Sequence, residues 1–372
     1  MIVRELQIIN FRNLRSVRSE FGPGINLIYG ANAQGKTNLL EALSLLVTAR
    51  SFRTSAEREL IPWVRDGYEA TLIRARVERL GGEDRLLMTF NQGEKHVFVN
   101  GTPLARLGDL LGRLNAVIFT PPDLGLVSGG PAGRRRFLDI GLSQTSRPYL
   151  VHLQHYDLAL RQANALLKQH QRRPSLRDEL AAWHDKLAAH GGALLQARAA
   201  MISELSALAG QTYAAIAGVE EPLRLEYLPS PSAVQAQPDA AEAALREALE
   251  RCADDDMRRG AISSGPHRDD FRFLVAGRDA RDFGSQGQQR SCVLALKLAE
   301  MRRMTSRTGD PPLLLLDDLM SELDESRQRA LLASLDPCVQ TFITATERSL
   351  VAPLVECRGI YLMDDGQLTR EL

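Results

Sequence analysis

The sequence predicts an α/β head assembled from both ends of the chain, with a helical arm inserted between about residues 125 and 262. Three observations carry this. Short apolar runs with strand period dominate residues 1–124, long helical patterns occupy the middle, and strand–helix alternation returns over 263–372. A chain of 372 residues has room for one large head with an insertion of this size.

Taken in order, "VRELQII" and "GINLIYG" are apolar runs bounded by turn residues, and "EATLIRARVER", "DRLLMTF" and "KHVFVNG" alternate as half-buried strands do. Between them "KTNLLEALSLLVTA" predicts a helix with Leu39, Leu40, Leu43, Leu46 and Val47 on one face. From about Pro148 two long helical patterns follow, separated by the polar "QRRPS". In the second, Trp183, Leu187, Leu194, Met201 and Leu205, with His190 and Ala197 between, mark the seam of a short antiparallel hairpin. The Gly191-Gly192 pair is expected to weaken that seam. "LPSPSAVQAQPDA" predicts a loop and "AEAALREALERCADDDMRR" one more helix. Strand texture resumes at "DDFRFLVAG". A helix "SCVLALKLAEMRRM", an apolar strand "LLLLDD", a helix "DESRQRALLASL" and a last strand "TFITAT" complete the head.

Composition narrows the class. Hydrophobic residues at 44% and charged residues at 25% are those of a globular protein with a real core. The 46 basic residues balance 46 acidic ones, so nucleic-acid binding has to come from local clustering. Cys252, Cys292, Cys338 and Cys357 are too scattered for a zinc site or a disulfide framework. No apolar run approaches a membrane span, and the start lacks a signal-peptide core, so a cytoplasmic protein is expected.

"GANAQGKT", from Gly30 through Ala31, Asn32, Ala33, Gln34, Gly35 and Lys36 to Thr37, fits the phosphate-loop pattern, with a strand before it and a helix after. Its glycines allow backbone N–H groups to curl around phosphates beside a helix N-terminus. Lys36 is placed to bridge the β- and γ-phosphates of ATP, and Thr37 to ligate Mg²⁺. The strand "LLLLDD" ends in Asp317, expected as the second Mg²⁺ ligand, and Asp318, expected to face the attacking water. "DFGSQGQQR" puts Ser285, Gly287 and Gln288 at a helix start, which is either a simple helix cap or an anion site without a lysine. Phosphate loop, serine–glycine–glutamine turn and Asp-Asp strand follow one another in the order used by ABC-type ATPases. Ser321 and Asp324 of "SELD" then stand at that class's dimer-contact loop. In that class the serine turn of one subunit caps the γ-phosphate held by another, which predicts an ATP-sandwiched homodimer.

Together "NFRN", "GANAQGKTNLLEAL", "SFRT", "PPDLGLVSGGPAGRRRFLD", "SGPHRDDF", "FGSQGQQRSCVLALKLAE" and "LLLLDDLMSELD" resemble the RecF family, bacterial recombination and gap-repair ATPases related to SMC proteins. The likeness runs from Ile2 to about Leu335 and is weakest over 150–260. It implies an SMC-like head with a short arm, ATP-dependent dimerisation, and binding to duplex DNA and single-strand/duplex junctions. It also implies partnership with RecR, and with RecO, in loading RecA onto gapped DNA. Two residues depart from the wider ABC pattern: Asp318 stands where glutamate is usual, and "ITATE" lacks the terminal histidine, with Thr344 or Thr346 nearby. Both point to slow, switch-like hydrolysis.

DNA-contact residues are not legible. Arg12, Arg15 and Arg18, then Arg50, Arg53 and Arg58, Arg134 to Arg136, and Arg258, Arg259 and Arg268 form basic groups that suit either a phosphate backbone or a solvated face. Arg12 and Arg268 are also candidates for the nucleotide, and "GPHRDD" leaves His267 and Asp269 open between metal binding and a structural turn. An ATP-powered nuclease would need a further carboxylate cluster, a transporter motor the terminal histidine, and a kinase no serine turn.

Overall fold

The structure, a computed structural model, describes residues 1–54, 56–62, 71–91, 94–169, 176–218, 221–235 and 240–371. The expected linker at 171–175 and residues 236–239 of the expected loop lie outside them. The chain packs as two units, Met1–Leu124 with Ala215–Gly218 and Val293–Leu372, and Gly125–Ala214 with Val219–Cys292.

The first unit opens with β1 (Ile2–Phe11), β2 (Leu14–Glu20), β3 (Ile25–Tyr29) and α1 (Lys36–Thr48), followed by β4 (Thr71–Arg79), β5 (Gly82–Asn91), β6 (Glu94–Val99), β7 (Thr102–Pro103) and β8 (Ala116–Phe119). The second contains α2 (Gly125–Ser128), α3 (Pro131–Thr145), α4 (Arg147–Gln169), α5 (Leu176–Ala217) up to Ala214, β9 (Leu223–Leu228), α6 (Ala241–Arg259), β10 (Asp270–Val275), β11 (Arg278–Asp279) and α7 (Ala280–Phe283). The boundary at Cys292 falls within α8 (Gln286–Thr308). The first unit resumes with β12 (Leu313–Leu316), α9 (Glu325–Ala333), β13 (Thr341–Ala345), β14 (Gly359–Asp364) and β15 (Gln367–Arg370).

Two sheets build the first unit. One is antiparallel, in the order β2-β1-β4-β5-β6-β7, and its strands alternate: Ile73, Ala75 and Val77 are buried while Arg74 and Glu78 face out. The other runs β15-β14-β3-β13-β12-β8, with β14, β3, β13, β12 and β8 parallel. Strands of a covered parallel sheet are apolar on both faces, which is why β12 reads as an unbroken Leu313–Leu316, all buried. Helix α1 shares one core with Leu6, Ile8 and Ile73 of the first sheet and Leu313, Leu315 and Phe342 of the second. The apolar spacing predicts a single buried face for α1, whereas Ala42, Ser44 and Leu45 are buried as well, as befits a helix enclosed between two layers.

The chain does not end its sheet at β13. Strand β14 pairs parallel to β3, and β15 returns antiparallel through the turn Asp364–Gln367. "GIYLMDDGQLTR" carries the signal, an apolar run broken by Asp-Asp-Gly.

In the second unit α4 and α5 run antiparallel, with Tyr149 meeting Arg198 and His152 Nδ1 3.1 Å from His190 Nδ1. Helix α5 runs unbroken through the glycine pair. A Cβ on Gly192 would lie 2.6 Å from Glu242 Cα, and one on Gly191 2.5 Å from Leu245 Cδ2, so the missing side chains are what let α6 cross α5 closely. Helix α5 is therefore a three-way contact and not a two-helix seam: Ala188, Leu195 and Ile202 bury a second face beside Leu187, Leu194 and Met201.

The expected boundary at 262/263 also shifts. Residues 263–292 pack with the second unit, because β10 pairs antiparallel with β9 and Arg134 of α3 grips Asp270 through both carboxylate oxygens, at 2.6 and 2.9 Å.

Candidate nucleotide site

The phosphate loop connects β3 to α1, and its backbone is the kind that only a few residues tolerate. Gly30 has φ 153°, Ala33 66° and Gly35 114°. A Cβ on Gly35 would sit 2.7 Å from Leu14 Cδ2, and one on Gly30 2.2 Å from the Met363 carbonyl oxygen. Glycine is required at both ends for conformation and for space.

The loop is braced from two sides. Asn13 Nδ2 donates to the Ala33 carbonyl at 3.1 Å, and Asn38 Nδ2 donates to Asn13 Oδ1 at 2.7 Å. On the other side the β14–β15 turn reaches Gln34, with Asp365 N–H donating to its Oε1 at 2.6 Å and Gly366 N–H to its carbonyl at 3.1 Å. Ala31, Asn32 and Ala33 remain exposed at the rim. Lys36 Nζ donates to the carbonyls of Gly30 (2.7 Å) and Ala31 (2.8 Å). Burial holds its pKa below the usual lysine value, against the opposing pull of Asp318 and Asp317.

Strand β12 delivers the carboxylates to this loop. Thr37 Oγ1 donates to Asp317 Oδ1 at 2.8 Å, and Thr344 Oγ1, from the neighbouring β13, donates to the same oxygen at 3.0 Å. Thr344 Oγ1 in turn accepts the Asp318 N–H at 2.8 Å. Asp317 is 5% exposed, and burial raises its pKa while the Thr37 and Thr344 hydroxyls oppose the shift. Of the two threonines near the expected histidine position, Thr344 is the one that engages the site. Asp318 adopts φ 46°, and its Oδ1 is buried without a hydrogen-bond partner. A non-glycine residue in the left-handed region with an unsatisfied carboxylate oxygen costs stability, and such strain concentrates where chemistry needs it.

The donor set suits Mg²⁺, which favours one or two carboxylates with a hydroxyl and leaves its remaining positions to phosphates and water. Thr37 Oγ1 and Asp317 are the residues that would hold it. Among the described residues no group of three or more His, Cys, Asp or Glu is placed to bind a metal.

The serine turn lies in the second unit. Ser285 caps α8: its Oγ accepts the Gln288 N–H at 3.2 Å, and Gln288 Oε1 accepts the Ser285 N–H at 2.9 Å, a reciprocal capping box. Ser285 is exposed, with Gly287 and Gln288 half-buried. Ser321 is exposed and donates to the Asp318 carbonyl at 2.8 Å, while Asp324 caps α9 through the Arg327 N–H at 3.0 Å. Hydrogen bonds from Ser326 and Arg327 hold the Asp324 carboxyl down at about 2.

Several basic residues take other positions than a DNA patch would need. Arg12 is ion-paired to the fully buried Glu41 of α1, which also accepts from Ser51, so it braces the helix of the phosphate loop. Arg134 is buried against Asp270 and the carbonyls of Leu126 and Gly129, both at 2.9 Å. Arg53 lies near the phosphate loop: its Nη1 donates to Asn38 Oδ1 at 2.7 Å, and its charge adds a small opposition to the burial that raises the Asp317 pKa. "SFRT" carried that signal, but only folding brings it beside Asp317. Arg268 is exposed. His267 has both ring nitrogens engaged, Nδ1 with Tyr156 OH at 2.7 Å and Nε2 with the Ile262 carbonyl at 3.0 Å, and Asp269 is ion-paired to Arg198 at 2.7 Å. These two residues hold a turn. Arg198 itself, buried on α5, also binds Asp139 at 2.6 Å and the Pro266 carbonyl at 2.6 Å, a junction that no sequence pattern marked.

The chain is similar to known proteins over most of its length. The pattern of the RecF/RecN/SMC N-terminal domain matches residues 2–369. The chain is 43% identical over 351 residues to the DNA replication and repair protein RecF of Symbiobacterium thermophilum, covering 93% of this chain and 92% of that one. It is 44% identical over 391 residues to the protein of the same name from Chloroflexus aurantiacus, covering 99% of each. A solved structure of the recombination mediator protein RecF-ATP in the RecFOR pathway superimposes with a TM-score of 0.90 at 34% identity, covering 100% of this chain and 97% of that one. An Smc head bound to a winged-helix domain of ScpA, at 15% identity and a TM-score of 0.58, shares the fold. Matching these relatives along its whole length and built on the P-loop head of the SMC class, the chain belongs to the RecF family of DNA replication and repair ATPases.

Proposed function

We propose that the protein is an ATP-controlled clamp of recombinational gap repair: ATP and Mg²⁺ join two copies on duplex or gapped DNA, and slow hydrolysis releases them. The observation that carries this is the Thr37–Asp317–Thr344 cluster beside the phosphate loop, with Asp318 held at φ 46° next to it. In this reading the N–H groups of residues 31–37 and the Lys36 ammonium hold the phosphates. Thr37 and Asp317 would hold Mg²⁺, which would supply positive charge to offset that of the phosphates. Asp318 orients the attacking water, and its side chain, shorter than glutamate by one methylene, makes the step slow. Turnover below about 10 s⁻¹ is the expected result of a steady-state ATPase assay.

Ser285, Gly287 and Gln288 of one copy would cap the γ-phosphate held by the other, with Ser321 and Asp324 at the contact between copies. The clamp would act in the cytoplasm, with RecR and RecO, in loading RecA at single-strand/duplex junctions. Light scattering with ATP-Mg²⁺, with ADP and without nucleotide tests the assembly step. A dimer that forms with ATP and is lost in Ser285→Arg supports the reading. A protein that binds ATP and stays monomeric on gapped DNA overturns it.

A further inference from the structure

Glu221, two residues before β9, lies beside the first turns of α8. Gln288 Nε2 donates to its Oε2 at 2.7 Å, and its charge adds to the burial that pushes the Cys292 thiol, one turn further along α8, up to about 12. The other end of the same Gln288 amide is the acceptor for the Ser285 N–H at 2.9 Å. A carboxylate accepts only, and a backbone N–H donates only. Flipping the Gln288 amide would therefore set N–H against N–H at Ser285 and oxygen against oxygen at Glu221. Only one orientation satisfies both neighbours.

The rest of the turn is held independently. Gln289 Nε2 donates to the Ala280 carbonyl at 3.0 Å and lies 3.3 Å from the Gly284 carbonyl, and the Gly284 N–H donates to the Ala280 carbonyl at 3.1 Å. The Gln288 half of the capping box has its outer amide end on Glu221. We infer that Glu221 is a positioning residue for the serine turn: it fixes the Gln288 amide, which fixes Ser285 and keeps the helix end preformed for an anion. Its own charge stands near that helix end, where it repels an incoming phosphate. Preorganisation and repulsion thus predict opposite effects of removing it, and the positioning role requires the first to win.

Glu221→Gln keeps an acceptor for Gln288 without the charge, whereas Glu221→Ala removes both. Two readouts separate the turn from the assembly. Amide exchange over residues 284–289, in the full chain without nucleotide, is expected to rise about fivefold in Glu221→Ala, the size of one lost helix cap, and to stay at the wild-type rate in Glu221→Gln. Exchange unchanged in Glu221→Ala overturns the inference whatever the protein does with ATP. The effect on assembly rests on the clamp reading above. ATP-dependent self-association is expected to weaken about tenfold in Glu221→Ala and to recover in Glu221→Gln, with ATP affinity of the phosphate loop unchanged in both. If both variants associate more tightly than wild type, Glu221 acts by repulsion and the positioning role is wrong. Glu226→Ala, which removes an exposed ion pair to Arg272 on the neighbouring strand, controls for damage to β9 and is expected to leave both readouts alone.

Discussion

Asp317 is held at the phosphate loop by two hydroxyls, and the second of them, Thr344, also satisfies the Asp318 N–H. One side chain thus binds the Asp317 carboxylate and the Asp318 backbone. Thr344→Val keeps the volume and removes the hydroxyl, leaving a half-buried N–H without its partner. The expected cost is about 1–3 kcal/mol of stability and a 10- to 100-fold loss of ATP hydrolysis, with a smaller loss of ATP binding. Thermal melts and an ATPase assay check the two halves. Lys36→Arg should weaken ATP binding by about tenfold, because a planar guanidinium cannot place a point charge where the Lys36 ammonium lies against Gly30 and Ala31. A nucleotide titration that leaves the affinity intact would move the phosphate site elsewhere.

Helix α5 shows why periodicity reads an element incompletely. The spacing of Leu187, Leu194 and Met201 announced one buried face, and that face exists. The second face, against α6, depends on the absence of side chains at Gly191 and Gly192, and a missing side chain has no hydrophobic signature. Gly192→Ala should therefore destabilise the protein by about 1–2 kcal/mol despite alanine's better helix propensity, since its Cβ meets Glu242 backbone. Arg198, on the same helix, ties α3 through Asp139, α4 through Tyr149 and the 266–269 turn through Asp269. Its replacement by alanine leaves the buried Asp269 carboxylate without its ion-pair partner, at an expected cost of about 3–5 kcal/mol in denaturant unfolding.

At the scale of the molecule the chain is two packed units, and the second carries a pH dependence of its own. Burial pushes the His267 pKa down to about 4, so the fold prefers the neutral ring that accepts from Tyr156 and donates to Ile262. The folded value lies below the unfolded one, near 6.5, so this contribution is complete above pH 6.5 and fades as pH falls toward 4. Its size is at most about 3 kcal/mol. Thermal midpoints at pH 7 and pH 5 should show the loss, and His267→Gln should flatten that part of the curve. No helix among the described residues is long and apolar enough to cross a membrane.

The phosphate loop, the Asp-Asp strand and the α/β class were legible in the sequence because each depends on neighbours along the chain: glycines that free the backbone, an apolar run that only a covered strand can bury, and carboxylates at its end. The β14–β15 hairpin that braces Gln34, the approach of Arg53 to Asp317, the burial of Arg12 and Arg134, and the grouping of 263–292 with the arm were decided by the tertiary structure. These are contacts between residues far apart in sequence. Their energies depend on burial and on which partner arrives, and neither quantity is written in local spacing.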